Sequence, residues 1–502
     1  MPSSATRGRL ALLLVCVLAW LHAASFLGSG PFDDDFIVYR YARNWVLGEG
    51  LVFNVGERFE GFTVPLWVMV IAGGLRLGLD PVTVSLTLSI LATGLAAFAV
   101  GAAWRLEFPD ARLPVPALLL AATPIFAWHG VTGLGTTVLA ALLALAWLYH
   151  ARACLAGKPA WGAAIWLALA CFMRQECALF ALPFLVLELR RVRSLAPLLP
   201  VLALLGWTVF RYLYYGRLLP ITYTVKKLSV AADLGYGLRY FGQATLECGV
   251  GALLALGLCA PRAVRRELRA PTRCALAGLL LHSAYVVWVG GDFMPFARFF
   301  VPTLPLLFLF ACFGARRLLP ARPRVRALAL TVALALLQWP QLGLSETSRQ
   351  QRAFEHAFFE ERWAALGRHL GAVLPPNTSV AISPIGAFGW YSGLPIVDIL
   401  GLTHDAALDE EPDLSIHMKG HHRTDAAWVF EQRPALMILA NGVQQPGTGE
   451  LAINPWERTI YEDPRFAERY VPTRMPIPES EPLIFFKRTD VPAPPGARVI
   501  RR

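Results

Sequence analysis

Eleven apolar stretches between Leu10 and Trp339, most of them separated by short loops, limit what this chain can become. They are Leu10–Leu27, Val82–Ala103, Val115–Trp128, Leu134–Tyr149, Trp161–Phe172, Ala178–Leu189, Leu195–Leu213, Val250–Ala260, Ala275–Val289, Val301–Ala315 and Ala327–Trp339. With 56% hydrophobic and 16% charged residues the chain lacks the polar surface of a water-soluble domain. That leaves a polytopic α-helical membrane protein. Several stretches fall short of the roughly 20 residues of a full span, so their helices must extend into the flanks. Leu10–Leu27 reads as a retained first span, because it is long for a signal-peptide core and Ala23-Ala24-Ser25 is a weak cleavage site. The eight cysteines lie in or beside apolar stretches, none after Cys312, and imply packing rather than a disulfide framework.

The positive charge sets the expected topology. A net charge of +11 is compatible with nucleic acid, but the arginines cluster in short loops, which is a membrane signature, so no nucleic-acid partner is expected. The ambiguous segment is Pro65–Leu79, which is apolar but short and contains Gly73, Gly74 and Arg76. If it does not cross, nineteen Arg and Lys fall in cytoplasmic loops and only nine in the longer outward loops. If it crosses, the later arginine clusters all face outward. The expectation is therefore eleven spans plus one re-entrant or interfacial helix. The N-terminus would be cytoplasmic, and everything after Trp339 would lie outside a bacterial-type inner or plasma membrane. Residues 1–340 would form the membrane domain, with a first extracytoplasmic loop at 28–64, and 341–502 a separate extracytoplasmic domain.

That topology gathers four polar groups on one side. The first is the stretch DDDFIVYRYARNWVLGEGLVFNVGERFEGFTVPLW, residues 33–67, which reads as a folded surface loop holding carboxylates. Asp33, Asp34 and Asp35 follow directly on the first span, where charge is costly unless solvated, paired or used. The others are Arg174-Gln175-Glu176, which interrupts an apolar run, the segment Tyr214–Lys227, and Gly290–Arg298 with Asp292. The acidic run also offers a place for a divalent cation, though nothing in the residues requires one.

After Gln341 charge rises and long apolar runs stop. A helical pattern over Gln351–Leu374 (Phe354, Phe358, Trp363, Leu366, Leu370) precedes four short apolar runs, Ser379–Ser383, Ile396–Leu400, Leu436–Ala440 and Leu483–Lys487. A small mixed α/β domain is expected. His404, His417, His421 and His422 with Asp398, Asp405 and Asp413 form a loose metal-ligand set without a helical metal-binding spacing.

Five blocks in order resemble a known family: DDDFIVYRYARN, GLVFNVGERFEGFTVPLW, YYGRLLPITYTVK, GGDFMPFARFFVPTLP, and VDILGLTHDAAL followed by GHH. They are similar to the GT-C glycosyltransferases, in particular the cell-wall terminal arabinofuranosyltransferases. The family's first block begins Asp-Asp-Ala, so its acidic pair is carried onto Asp33 and Asp34, and Asp35 is a departure. Gln175 stands where the family tends to have Pro, and Ile221 where it has Asn.

The resemblance implies an inverting glycosyltransferase that takes a polyprenyl-phosphate-linked sugar from the bilayer and delivers it to an exported glycan or lipid acceptor. The residues fit that chemistry. A carboxylate must take the acceptor proton, and cations or amides must stabilise the departing phosphate. Asp33 is the first choice of base, with Asp34 as orienting partner or second choice. Arg40, Arg174, Glu176, Lys226, Asp292 and Arg298 are candidates for the donor phosphate and sugar, and Glu60, Trp390, Tyr391, Asp398 and His421 for the acceptor. The donor sugar is read as arabinofuranose. Mannose or aminoarabinose delivered to protein or lipid by the same fold is one alternative, and a lipid-sugar transporter or flippase another.

Overall fold

The computed structural model describes residues 4–28, 30–294, 296–320, 322, 324–336, 362–443, 451–478 and 480–500. The end of the eleventh apolar stretch, the boundary placed at 340/341, and Phe354 and Phe358 of the expected helix lie outside the described residues.

The chain is a polytopic helical assembly carrying a C-terminal domain that contains a sheet. Among the described residues five helices are long and apolar enough to cross a membrane: Thr6–Ala24, Pro81–Glu107, Thr136–Leu155, Leu198–Tyr215 and Val301–Leu318. Helix α1 (Ser4–Ala24) packs on α4 (Pro81–Glu107), which packs in turn on Thr136–Leu155. The contact surface of α4 is built from small residues, with Ala96, Ala97 and Ala99 fully buried. A Cβ on Gly94 would fall onto the Trp20 indole, so glycine is what lets α1 and α4 approach.

Helix α3 (Pro65–Arg76) covers the ambiguous segment. Its 12 residues reach about 18 Å at 1.5 Å per residue, short of the roughly 30 Å hydrocarbon thickness. It packs against α2 (Asp33–Val46), α4 and the helix Trp161–Met173. The apolar run 161–189 is broken where expected. Trp161–Met173 ends at Arg174, whose extended backbone (φ −147°, ψ 120°) starts a short turn before the helix Ala178–Val192.

The first loop departs from expectation. Its opening half is not a surface loop but the helix α2, with Phe36, Ile37, Tyr39 and Tyr41 all buried. The surface-loop reading fails because α2 is covered both by α3 and by the helix Gly386–Ser392 of the C-terminal domain.

The C-terminal domain holds a six-stranded sheet in the order β2-β1-β3-β5-β4-β6. Strands β1 (Val380–Ile382), β2 (Ile396–Asp398) and β3 (Leu436–Ile438) are parallel and buried along their whole length, which is why they read as short unbroken apolar runs. β4 (Tyr470–Ile477), β5 (Ser480–Arg488) and β6 (Arg498–Val499) complete it antiparallel. Val380 and Ile382 join a buried cluster that continues through α2 into the membrane helices, while Ala381, Val397 and Met437 face a second cluster with Phe430 and Phe486.

Candidate active site

A cavity of about 490 Å³ lies where the polar segments meet. Asp34 reaches it from α2, and Thr63 from the segment before α3. Arg174, Gln175 and Glu176 enter from the helix break, Tyr223 and Lys226 from the turn Ile221–Val225 and its cap, and Asp292, Phe293 and Arg298 from the loop after the helix Arg266–Trp288. All four groups expected to converge do so. Another part of the wall is apolar and comes from the membrane helices, including Leu139, Leu143, Leu179, Phe180 and Trp288. An apolar wall beside a charged one suits a molecule with a hydrocarbon part and an ionic part.

The three consecutive acids point in three directions, because successive helix residues are turned by about 100°. Both Asp33 oxygens accept from the C-terminal domain, Oδ2 from the Gly386 N–H at 2.8 Å and Oδ1 from the Ala387 N–H at 2.7 Å. Burial pushes its carboxyl up to about 7, against these two N–H groups that pull it down. Asp35 turns back to accept from the Phe32 N–H at 2.8 Å, capping α2. Burial raises its carboxyl well above the usual range, and its other oxygen has no partner. Only Asp34 lines the cavity, with a side chain 30% exposed, 3.7 Å from the Arg298 guanidinium.

Arg298 also approaches Asp292 at 2.5 Å, and Arg174 pairs with Glu176 at 2.7 Å and donates to the Thr63 hydroxyl at 3.0 Å. Both guanidinium groups lie against the Phe299 ring, at 5.5 and 5.6 Å from its centroid. Two guanidinium cations near one aromatic ring, each paired with a carboxylate, make a site where an anion gains charge-assisted hydrogen bonds.

Several expected site residues are elsewhere. Asp33, the first choice of base, is committed to the domain interface. Arg40 is buried between α2 and the C-terminal domain, donates to the carbonyls of Phe53, Gly389 and Leu394 and to Asn54, and does not line the cavity. Glu60 is buried against Arg211 and the Trp207 indole, its carboxyl raised by burial with Arg211 opposing. Asp398 accepts from the N–H groups of Leu400 and Thr403 and fixes the turn after β2. Trp390 and Tyr391 pack on α2, Trp390 beneath Arg43 and Tyr391 beside Phe36. His421 stands one layer behind the cavity wall, 5.3 Å from Phe293 between ring centroids, its imidazole held down to about 4 by burial and by nearby Lys226.

The expected cation positions do not assemble either. The three acids diverge, His404 bonds the Asp398 carbonyl, and His422 bonds the Asp413 carbonyl. Among the described residues the His, Cys, Asp and Glu side chains close enough to share an ion are His150, Cys154 and Glu188, remote from the cavity lining.

Sequence reasoning missed Lys419, which reaches the cavity from the C-terminal domain and pairs with buried Asp233, and gave no role to Gln175, held by Arg211 at 3.0 Å. It also missed Tyr285 and His282, polar residues on the inner face of a helix read only as a span.

Comparison with known proteins fits this arrangement. Residues 349–478 match a domain of unknown function, DUF8728. The chain is 31% identical over 330 residues to the terminal beta-(1->2)-arabinofuranosyltransferase of Corynebacterium glutamicum, covering 55% of this chain and 46% of that protein. It is 31% identical over 218 residues to the Mycobacterium tuberculosis protein of the same name, covering 39% and 34%. The chain thus spans less than half the length of these relatives. Two crystal structures of ArnT from Cupriavidus metallidurans, one bound to undecaprenyl phosphate and one in the apo state, superimpose with a TM-score of 0.53 at 14% identity. The overlap covers 77% and 79% of this chain, and 85% and 86% of the ArnT chains. The fold is therefore that of ArnT. In sequence, part of the chain is similar to the two arabinofuranosyltransferases.

Proposed function

We propose that this chain is a membrane glycosyltransferase that moves a sugar, in our reading arabinofuranose, from a polyprenyl-phosphate carrier to a glycan or lipid acceptor outside the cytoplasm. The observation that carries the reading is the cavity itself. It joins an apolar wall, a pair of guanidinium groups near Phe299, and one accessible carboxylate, Asp34. ArnT of the same fold was crystallised with undecaprenyl phosphate, which supports a carrier of that class here.

In the reaction, the acceptor hydroxyl oxygen attacks the anomeric carbon and its proton passes to Asp34. The bond from that carbon to the phosphate oxygen breaks, and the carrier phosphate leaves with both electrons, bound by Arg298 and Arg174 with Lys226. A single inverting displacement needs one base, so a second carboxylate at fixed separation is not required. Asp34 is preferred over Asp33 because a base must reach the proton it removes, and Asp33 is turned away from the cavity.

The test is transfer from a synthetic polyprenyl-phosphate sugar. Asp34→Asn should lose on the order of 10²–10⁴ in rate while still binding the carrier phosphate. Wild-type turnover in Asp34→Asn would remove Asp34 as the base. Envelope glycans from a deletion strain, analysed by mass spectrometry, would identify sugar and acceptor.

A further inference from the structure

Lys226 differs from the paired cations that reach into the cavity, and among the described residues it shares the lack of a carboxylate partner with neighbouring Lys227. Arg174 pairs with Glu176, Arg298 with Asp292 and Asp34, and Lys419 with Asp233. Among the described residues no carboxylate lies within ion-pair distance of Lys226. What holds it is a turn of the C-terminal domain. Its stem lies flat on Gly420, whose backbone is left-handed at φ +93°. A Cβ at that position would fall 3.2 Å from Lys226 Cε and 3.3 Å from Cδ and Cγ. The ammonium is 6.0 Å from the Phe293 ring centroid, and His421 packs edge-on against that same ring.

The turn is tied to the segment that carries Lys226. One oxygen of Asp233 accepts from Lys419, and the other from the Leu228 N–H at 3.2 Å. Arg423 reaches across to the Lys227 carbonyl, also at 3.2 Å. A free lysine side chain loses rotamer entropy when ordered. Laying the stem against Gly420 removes much of that freedom before any ligand arrives.

We propose that the Lys419-Gly420-His421 turn is a positioning element, contributed by the C-terminal domain, that presents the uncompensated ammonium of Lys226 to the carrier phosphate. This rests on the reading of the cavity as a polyprenyl-phosphate site. The domain then acts on the donor side of the reaction.

The experiment measures binding of undecaprenyl phosphate alone to the full-length chain in nanodiscs, with undecaprenol as the uncharged control. Lys226→Ala should weaken phosphate binding by about tenfold or more. Gly420→Ala should weaken it less and Gly420→Leu more, and neither should weaken it further in a Lys226→Ala background. Undecaprenol binding should be unchanged throughout. If Lys226→Ala binds the phosphate as wild type does, Lys226 is not a ligand and the proposal falls. If no variant or wild type prefers the phosphate over the alcohol, the reading of the cavity falls with it. If Lys226→Ala weakens binding but the Gly420 variants do not, the positioning role alone is overturned. Equal weakening by the Gly420 variants with and without Lys226 overturns it in the same way.

Discussion

Three adjacent aspartates do three different jobs, and the difference lies in what each oxygen touches. Asp33 and Glu457 are both buried carboxyls pushed up to about 7. A raised carboxyl holds its proton in the folded chain at a pH where the unfolded chain has lost it. Stability from these two groups is therefore greatest below about pH 4 and falls as pH rises through about 7. Thermal unfolding midpoints should decline over that window, and Asp33→Asn should flatten the decline. An unchanged slope in Asp33→Asn would count against the assignment. Arg40→Met should be among the most damaging single changes, because it leaves the Leu394 oxygen and the Asn54 side chain without this donor and leaves the Phe53 and Gly389 oxygens with only Asn44 and the Gly393 N–H. A loss of about 3 kcal/mol or more is expected, seen as failure to recover folded protein. The sequence identified the acidic run as special but not which acid faced the cavity. Helical rotation sorts them, and which face of α2 meets the cavity depends on a partner more than 340 residues away.

At the scale of elements, α2 is where reading and structure diverge most. The run of polar and glycine residues after it was legible as irregular backbone, and the helix Asp33–Val46 was masked because it is covered both by α3 and by the C-terminal domain. Asp35 illustrates the cost of reading by resemblance. Alanine at that position looks harmless beside the family pattern, yet the Asp35 carboxyl caps the first turn through the Phe32 N–H. Asp35→Ala should cost about 1 kcal/mol, measurable as a lowered unfolding midpoint with the transfer rate of the folded protein retained. Strand β4 was missed because Pro472 and Pro476 speak against a strand. It is tolerated because β6 pairs with β4 only at Thr473 and Arg474. The parallel strands β1 to β3 were legible because strands covered on both faces leave continuous apolar runs.

At the scale of the whole molecule, the class and the two-part architecture were legible, since hydropathy and composition are summed over many residues. The convergence of the four polar segments followed from the expected sidedness, which fusion reporters test directly. A reporter after Arg193 should be active only in the cytoplasm, and one after Trp339 only outside. The opposite result after Arg193 would mean that Pro65–Leu79 crosses. What the sequence hid is how the two parts are joined. Asp33 and Arg40 are completed by Gly386, Ala387, Gly389 and Leu394, between 349 and 354 residues further along the chain. A ribosome adding about 5–20 residues per second needs on the order of tens of seconds to cover that distance. Throughout that interval the newly made α2 carries a carboxylate and a guanidinium whose final partners do not yet exist. Docking of the first loop must therefore wait until residues 386–394 have been made and folded. A chain that stops before residue 386 leaves the helix bearing Asp34 without its clamp, so the cavity is completed only after a long stretch of further synthesis.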